Sequence, residues 1–265
     1  MSISKKLKIK NREAIEIEMI RQKLAQNGNI SKLVSMYKSK FPEILNTNTG
    51  EKWDKLNDIG ISKKSYPMAF DRIKSIAKEI NGNNIKILDY GFGNGKLEEF
   101  LWKRKSAIKE LYGIDISNKS VKRATKLFPT WKFINSSQEK LKFKKNYFDF
   151  ITIMEVLEHI NPSRSLNFLK KLSNIIKKGG KLIVSVPLNE PLDEMLKVGN
   201  NPNSHVRIYT TELITSELKI AGFNISKVKY LYAFHSFYYL KSLIVKIFPI
   251  VHKKPNNLIL IAEKI

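Results

Sequence analysis

The stretch Ile85-Lys-Ile-Leu-Asp-Tyr-Gly-Phe-Gly-Asn-Gly95 decides the fold of this chain of 265 residues. Its first half is apolar and typical of a buried strand, and the three glycines that follow predict a tight turn into a helix. Glycine tolerates positive φ angles and lets backbone N–H groups approach a ligand without an intervening Cβ. A purely structural turn needs the same residues, so the loop alone does not establish a ligand site.

The next predicted strand supplies an acidic partner for this glycine loop. It ends in Gly113-Ile-Asp115, 24 residues beyond Gly91. An acidic side chain reaches a ribose at about this spacing in dinucleotide-binding folds. The loop, however, reads G-x-G-x-G rather than G-x-G-x-x-G, and Asp89 stands two residues before the first glycine. This combination indicates a nucleoside ligand that lacks a pyrophosphate.

Short apolar runs alternate with longer amphipathic segments on both sides of the loop. Helices are predicted over 67–80, 95–108, 118–127, 163–177 and 211–221. Strands are predicted over Ile85–Asp89, Leu111–Asp115, Lys132–Asn135, Phe148–Met154, Leu182–Val186, Phe223–Leu231 and Asn257–Ala262. The alternation predicts an α/β fold with a doubly wound, mostly parallel seven-stranded sheet. The last two strands pair antiparallel in this prediction.

The segment before this sheet has a different pattern. Residues 11–47 are predicted to form two helices broken at Asn27-Gly28-Asn29, and a polar loop is predicted from Asn46 to about Ser65. We therefore expect an N-terminal helical extension over residues 1–65 and one larger domain over 66–265. A loop rich in proline and asparagine is expected over 188–206.

Composition excludes several classes of function. The chain has no cysteine, which removes disulfides, thiolate nucleophiles and cysteine-based metal sites. Its net charge of +24 invites an anionic partner, although the lysines are spread along the whole chain. No apolar run approaches the roughly 20 residues of a membrane span, and no secretory signal is visible. We expect a cytoplasmic protein, with peripheral membrane contact as an alternative.

Taken together, the motifs resemble those of the class I, Rossmann-like methyltransferases that depend on S-adenosylmethionine (SAM). Within that family they are similar to the small-molecule groups that include the ubiquinone-biosynthesis-type O-methyltransferases. Each motif alone is common, but five in order are specific, and they cover roughly residues 66–265. The segments are Leu88–Gly95, Gly113–Ser117, Phe148–Ile160, Lys178–Pro187, and His205–Thr210 followed by Ala221–Phe223.

The resemblance implies SAM as cofactor and gives roles to the glycine loop and its acidic neighbours. Gly91, Gly93 and Gly95 would line the methionine and ribose portion. Asp89 would orient the loop and bind the ammonium group of SAM, directly or through water. Asp115 would accept hydrogen bonds from the ribose hydroxyls.

Four further cofactor residues follow from the same resemblance. Ile116 would pack on the adenine. Ser137 and Gln138 occupy the adenine-edge position, where the family usually has an acidic residue, so Ser137 departs from the pattern. Glu155, just past the fourth strand, would lie where the methionine end of SAM meets the substrate.

Two histidines are the candidates for catalysis, because a hydroxyl or amine acceptor must lose its proton during methyl transfer. His159 and His205 fall inside the family-like motifs, and both also have structural interpretations as capping or loop-holding residues. Some ubiquinone-type relatives hold a divalent cation at a Glu-x-x-Glu-His sequence similar to Glu155–His159. We predict no metal here, and a chelator that abolished activity would reverse that prediction.

The acceptor is predicted more coarsely than the cofactor. We expect a small or lipid-like acceptor, methylated at oxygen, with a tRNA or rRNA methyltransferase as the alternative. Residues 229–254 form an aromatic segment flanked by lysines. We expect it to be either a substrate lid or a segment that contacts an anionic membrane. A SAM-fold protein without catalysis is disfavoured because the glycines and Asp115 are intact. The sequence does not predict an oligomeric state.

Overall fold

A seven-stranded sheet forms the centre of the part of the chain that the computed structural model describes, namely residues 12–26, 29–40, 48–58, 67–136, 141–199, 201–234, 236–248 and 253–265. The strand order is β3-β2-β1-β4-β5-β7-β6. Strands β1 to β5 run parallel, and β7 is antiparallel to both β5 and β6, which confirms the predicted fold class. The strands are β1 Ile85–Tyr90, β2 Ile108–Asp115, β3 Lys132–Asn135, β4 Phe148–Met154, β5 Ile176–Pro187, β6 Phe223–Leu231 and β7 Asn257–Lys264.

Helices pack on both faces of this sheet, and the described ones are numbered here in chain order. Two hydrophobic clusters fill the space between the helices and the two faces. The helices are α1 Arg12–Ala25, α2 Ile30–Lys40, α3 Gly50–Asp58, α4 Pro67–Glu79, α5 Lys96–Trp102, α6 Asn118–Leu127, α7 Pro162–Ile175, α8 Leu192–Lys197, α9 Thr211–Ile220 and α10 Tyr238–Ile247. None of these described helices is long and apolar enough to cross a membrane.

The N-terminal helices belong to the same core as the sheet. Ile20 of α1 and both Leu33 and Tyr37 of α2 are fully or almost fully buried in a cluster shared with β4, β5, α7 and α9. Glu16 of α1 also reaches the buried guanidinium of Arg207 at 2.6 Å. The first two helices are thus tied to the segment that precedes α9.

One predicted loop is wrong, since Gly50–Asp58 of the expected polar loop from Asn46 to Ser65 forms helix α3. Its nine residues hold few apolar side chains, so the segment lacks a strong helical period. The available signal was Thr49, whose hydroxyl accepts the Lys52 N–H at 3.2 Å and satisfies a free donor of the first turn.

Two predicted helix ends are also too long. The helix expected over 95–108 ends at Trp102, and β2 begins at Ile108 instead of Leu111. The helix expected over 163–177 ends at Ile175, and β5 starts at the next residue. In the first case a turn and a short 3₁₀ helix, Lys105–Ala107, separate the helix from β2. In the second case Ile176, which fits the helix period, belongs to the following buried strand. The short helix α8 lies within the loop predicted over 188–206.

The sheet places its ligand crevice at the carboxyl ends of β1 and β4. The strand order reverses between these two neighbours, and open α/β sheets bind ligands at such a switch point. The glycine loop follows β1, and Glu155 follows β4 at the same edge. The carboxyl end of β5 and the start of β7 meet there too, where Pro187 pairs with Asn257.

Candidate active site

The glycine loop has the backbone that the sequence predicted. Gly91, Gly93 and Gly95 all have positive φ, between 56° and 77°. A Cβ on Gly91 would lie 2.3 Å from the Val156 side chain, whereas a Cβ on Gly93 would meet no atom within 4 Å. Gly91 is therefore required by packing, and Gly93 faces open space at the crevice.

Asp115 ties this loop to the end of β2. Its carboxylate accepts the Gly93 N–H and the Ser117 N–H, each at 2.8 Å. Burial raises the pKa of Asp115, although both backbone hydrogen bonds favour its ionised form. Ile116, beside it, is half-buried. The carboxylate thus stands at the loop, with lone pairs left for further donors.

Asp89 lies behind the loop rather than in the open crevice. It is completely buried and accepts a hydrogen bond from the Thr152 hydroxyl at 2.6 Å. Burial raises the pKa of Asp89 to about 6. Burial and the charge of Asp89 raise the pKa of the neighbouring Glu98 well above its usual range. Two adjacent buried carboxyls do not both ionise readily, so Glu98 holds the proton.

Glu155 anchors a polar cluster on the opposite side of the crevice. It has a positive φ of 53°, uncommon for a residue with a side chain. Its carboxylate accepts hydrogen bonds from Ser185 at 2.9 Å and Asn257 at 2.9 and 3.0 Å, and it pairs with Arg72 of α4 at 2.9 Å. The buried Nε of Arg72 has no hydrogen-bond partner among the described residues.

The two predicted histidines meet at this same end of the sheet. Their ring centroids are 4.8 Å apart. The Nδ1 of His159 lies 3.4 Å from the Ser204 carbonyl oxygen, and the Nδ1 of His205 pairs with Glu190. Each ring therefore has its Nδ1 held by the protein.

Burial sets the charge of the residues around this pair. Desolvation lowers the pKa of His159 to about 3, so its imidazole is neutral at physiological pH. Desolvation also raises the pKa of Glu158 well above its usual range, with the charge of Glu155 adding to the effect. Both carboxyl oxygens of Glu158 are buried and have no hydrogen-bond partner among the described residues.

Glu158, His159 and His205 also form a donor set for a metal ion, with ligand atoms that all lie within 4.8 Å of one another. The set fits a divalent cation, because a carboxylate and imidazoles whose other nitrogen is held by the protein are common metal ligands. The orphaned Glu158 carboxyl supports that fit. Glu155, the first residue of the Glu-x-x-Glu-His sequence, is bound instead to Arg72 and Asn257.

Helix α3 connects the two sides of the crevice. Asp54 accepts hydrogen bonds from the Ser117 hydroxyl at 2.6 Å and the Lys119 N–H at 3.0 Å on the Asp115 side. On the other side, Trp53 packs edge-on against His159 with ring centroids 5.1 Å apart. Asn48, just before the helix, donates to the Ser204 carbonyl at 2.9 Å. The segment predicted to be a loop is therefore part of the site.

The structure brings together most of the predicted site residues. The glycine loop, Asp115 and Ile116 lie on one side of the crevice, and Glu155, His159 and His205 lie on the other. Ser137 and Gln138 lie outside the described residues. The sequence patterns did not indicate five contributors. Trp53, Arg72 and Asn257 contact residues far away in the chain, whereas Glu98 neighbours Asp89 and Glu190 pairs with His205. Of these residues, Arg72 could have been suspected as a site residue, because it is a basic residue on a helix predicted to precede the glycine loop.

The sequence of this chain is similar to one family profile and to individual curated proteins. The profile of a family described as "Methyltransferase domain" matches residues 63–228. The ubiquinone biosynthesis O-methyltransferase of Pelagibacter ubique is 35% identical over 127 residues, which are 46% of this chain and 48% of that protein. The ubiquinone/menaquinone biosynthesis C-methyltransferase UbiE of Wigglesworthia glossinidia brevipalpis is 29% identical over 187 residues, 67% of this chain and 71% of that protein. The first match thus spans about half the length of the curated relative.

Solved structures show the same fold at low sequence identity. A SAM-dependent methyltransferase from Archaeoglobus fulgidus aligns with a TM-score of 0.57 at 18% identity, covering 76% of this chain and 95% of that one. The N-methyltransferase NodS from Bradyrhizobium japonicum, solved with S-adenosylhomocysteine, aligns with a TM-score of 0.58 at 12% identity, covering 80% and 98%.

Proposed function

This chain belongs to the methyltransferase-domain family, with SAM as its cofactor, and from that premise we propose that it transfers the methyl group to a hydroxyl oxygen of a small, lipid-like acceptor. The family and cofactor predicted from the motifs are confirmed. The choice of acceptor and of acceptor atom rests on the geometry of the second half of the crevice and on the relatives that act in ubiquinone biosynthesis.

The observation that carries the oxygen assignment is the histidine pair. SAM, when bound, supplies an electrophilic methyl group on a sulfonium, so the protein's task is alignment and removal of the acceptor's proton. Glu190 holds the Nδ1–H of His205, which leaves Nε2 as a proton acceptor and stabilises the imidazolium that forms. His205 therefore takes the proton of the acceptor hydroxyl.

His159 has a different role in this proposal. With a pKa of about 3, His159 is a poor base at physiological pH, and its imidazole stays neutral beside His205. Its ring packs between those of Trp53 and His205, where it helps to position the acceptor. Activity should therefore not titrate with protonation of His159 between pH 5 and 8.

Cofactor binding divides between the two sides of the crevice. We assign the ribose hydroxyls to Asp115 and the methionine and ribose portion to the backbone of Gly91, Gly93 and Gly95. Asp89 acts from behind, because its complete burial suits loop orientation and a long-range attraction for the cofactor's positive charge. The unpartnered Nε of Arg72 is available for the cofactor's carboxylate.

A divalent cation is compatible with the same residues. Glu158, His159 and His205 would hold it, and it would favour ionisation of a bound hydroxyl by its positive charge. Dialysis against a chelator distinguishes the two cases. Activity that survives dialysis assigns proton removal to His205 alone. Activity that is lost on dialysis and restored by added cation assigns these three residues to the metal.

The experiment that tests the proposed function uses SAM labelled in its methyl group. The label should enter the organic phase when the protein is incubated with a membrane lipid extract rich in hydroxylated quinone precursors, and it should form an O-methyl ether. Label on ring carbon would contradict the oxygen assignment. Label found only in added tRNA would replace the proposal with the nucleic-acid alternative. Asp115→Ala serves as the control and should transfer no label to either acceptor.

A further inference from the structure

Helix α10 presents an unusual surface, because most of its exposed side chains are large and apolar. Tyr238 and Ser242 are buried against the domain. The opposite side is exposed, with side chains that are between 38% and 76% accessible: Phe237, Tyr239, Leu240, Leu243, Ile244, Ile247 and Phe248. A surface helix of a soluble domain normally shows the reverse pattern. A contiguous apolar patch of this kind marks an interaction site.

Lysines border this apolar face on both sides. At about 100° per residue, Lys241 and Lys246 fall on the two flanks between the buried and the exposed sides of the helix. Lys253 follows in the same β6–β7 connection and lies over the Phe234 ring at 4.2 Å. Among the described residues, no carboxylate pairs with any of these three lysines.

The surroundings of α10 are positively charged as well. From Leu218 to Ala262 the sequence contains seven lysines and no acidic residue. A cleft next to the helix, bordered by Tyr239, is lined by Lys74, Lys78, Lys227 and Lys229. Two of these lysines pair with acidic residues of α4, Lys227 with Glu79 and Lys229 with Asp71. The charge thus complements an anionic partner around an apolar centre.

The strained start of the helix adds to this pattern. Phe237 has a positive φ of 51°, uncommon for an aromatic residue, and its side chain is among the most exposed of the large apolar side chains that the structure describes. Strained residues of this kind cluster at functional sites. Aromatic rings together with flanking lysines are typical of helices that lie in the plane of the lipid headgroups.

We propose that α10 and its flanking lysines Lys241, Lys246 and Lys253 form a docking surface for an anionic lipid bilayer. The exposed apolar side chains enter the headgroup layer, and the lysines contact anionic lipids. This inference rests on the proposed lipid-like acceptor, since docking brings the crevice to the compartment that holds such a molecule.

Two contacts join this surface to the acceptor side of the crevice. The Tyr238 hydroxyl donates to Asp71 of α4 at 3.0 Å, and the next residue of α4, Arg72, pairs with Glu155 in the site. The β6–β7 connection that carries α10 leads into β7 at Asn257, whose amide also binds Glu155. The docking surface therefore lies at the same edge of the sheet as the crevice.

Vesicle flotation of the full chain tests the proposal. The protein should float with vesicles that mix phosphatidylglycerol into phosphatidylcholine and should stay behind with phosphatidylcholine alone. The double variant Leu243→Gln/Ile247→Gln should lower binding at least about tenfold. Lys241→Gln/Lys246→Gln should lower it by about fivefold per lysine and should weaken its dependence on salt. Both variants change exposed side chains, so folding is retained.

Helix α6 offers matched controls, because Leu127 and two of its lysines, Lys122 and Lys126, are also exposed. Leu127→Gln and Lys122→Gln/Lys126→Gln should bind vesicles like the unchanged protein. Failure to bind anionic vesicles, or equal losses in the α6 variants, would overturn the proposal. So would light scattering that shows a dimer dissociated by Leu243→Gln, since the face would then belong to a second copy.

Calorimetry with SAM on the same preparations separates this inference from the proposed function. Normal SAM binding and label transfer without vesicle binding would refute the docking surface alone. Vesicle binding without any SAM binding would refute the proposed function and leave the docking surface in place.

Discussion

The two sides of the crevice are built in different ways. On the cofactor side, the backbone N–H of Gly93 in the glycine loop donates to the Asp115 carboxylate, which is only 22 positions away. On the acceptor side, Asn257 reaches Glu155 across 102 positions, and Arg207, two residues from His205, reaches Glu16 across 191. The first side is a local backbone structure, whereas the second depends on side chains that only the completed fold brings together.

In the proposed function, the backbone turn binds the methyl donor and the histidine pair acts on the acceptor. Changes at the histidine pair or at the buried Arg207 cluster should affect transfer or stability and leave SAM affinity intact. Changes on the cofactor side should affect SAM affinity first.

The largest expected effect is on catalysis by His205. His205→Gln should lower the rate of label transfer by about 10²–10⁴-fold, the usual contribution of a general base, with SAM affinity unchanged. Glu190→Gln should cause a smaller loss, because it removes only the orientation of the ring. A parallel loss of SAM affinity in His205→Gln would contradict the division between the two sides.

The next effect concerns the buried ion cluster behind the acceptor side. Arg207 pairs with Glu16 at 2.6 Å and Glu217 at 2.8 Å, and all three are buried. Arg207→Met should lower the free energy of unfolding by about 3–5 kcal/mol, because it leaves two buried carboxylates without their partner. Urea unfolding measures this loss.

Helices α1 and α9, which carry Glu16 and Glu217, also provide the control. Arg21 of α1 pairs with Glu212 of α9 on the surface, with both side chains largely exposed. Arg21→Met should therefore cost less than about 1 kcal/mol. Equal losses for Arg207→Met and Arg21→Met would show that the buried cluster does not stabilise the attachment of α1.

A smaller effect distinguishes the glycine loop from an ordinary turn. Gly93 and Gly179 both have positive φ, and a Cβ on either would meet no atom within 4 Å. Alanine at either position should cost about 1–2 kcal/mol of stability. Gly93→Ala alone should also weaken SAM binding, by about tenfold, because its methyl group enters the crevice. Equal SAM affinity in the two variants would remove Gly93 from the cofactor site.

These comparisons also show which parts of the site the sequence could predict. The glycine loop and Asp115 were predictable because a backbone turn needs glycine at particular positions and an acid at a fixed distance along the chain. Arg72, Glu98 and Glu190 are common residue types in ordinary helices and loops, and only tertiary contacts give them a role. Helix α3 was missed because tertiary contacts such as Trp53 on His159 hold a segment with little helical pattern of its own.

The smallest predicted effect is a dependence on pH. Burial raises the pKa of Asp89 from 3.8 to about 6, so the folded protein binds a proton more readily than the unfolded chain in this interval. This contribution to stability is therefore present at low pH and lost as the pH rises through about 6. SAM affinity should change in the opposite sense, falling a few-fold below pH 6 as the carboxylate that attracts the cofactor is protonated. Asp89→Asn should abolish both trends.

Calorimetric titration of SAM into the full chain and into Asp115→Ala tests the central claim most directly. The unchanged protein should bind SAM, and Asp115→Ala should bind it about 100-fold more weakly, because two charge-assisted hydrogen bonds to the ribose are lost. Asp54→Ala, which loses only the bonds to Ser117 and Lys119 in the adjacent turn, should bind SAM nearly as well as the unchanged protein. Equal SAM affinity in the unchanged protein and Asp115→Ala would contradict the assignment of this crevice to the methyl donor.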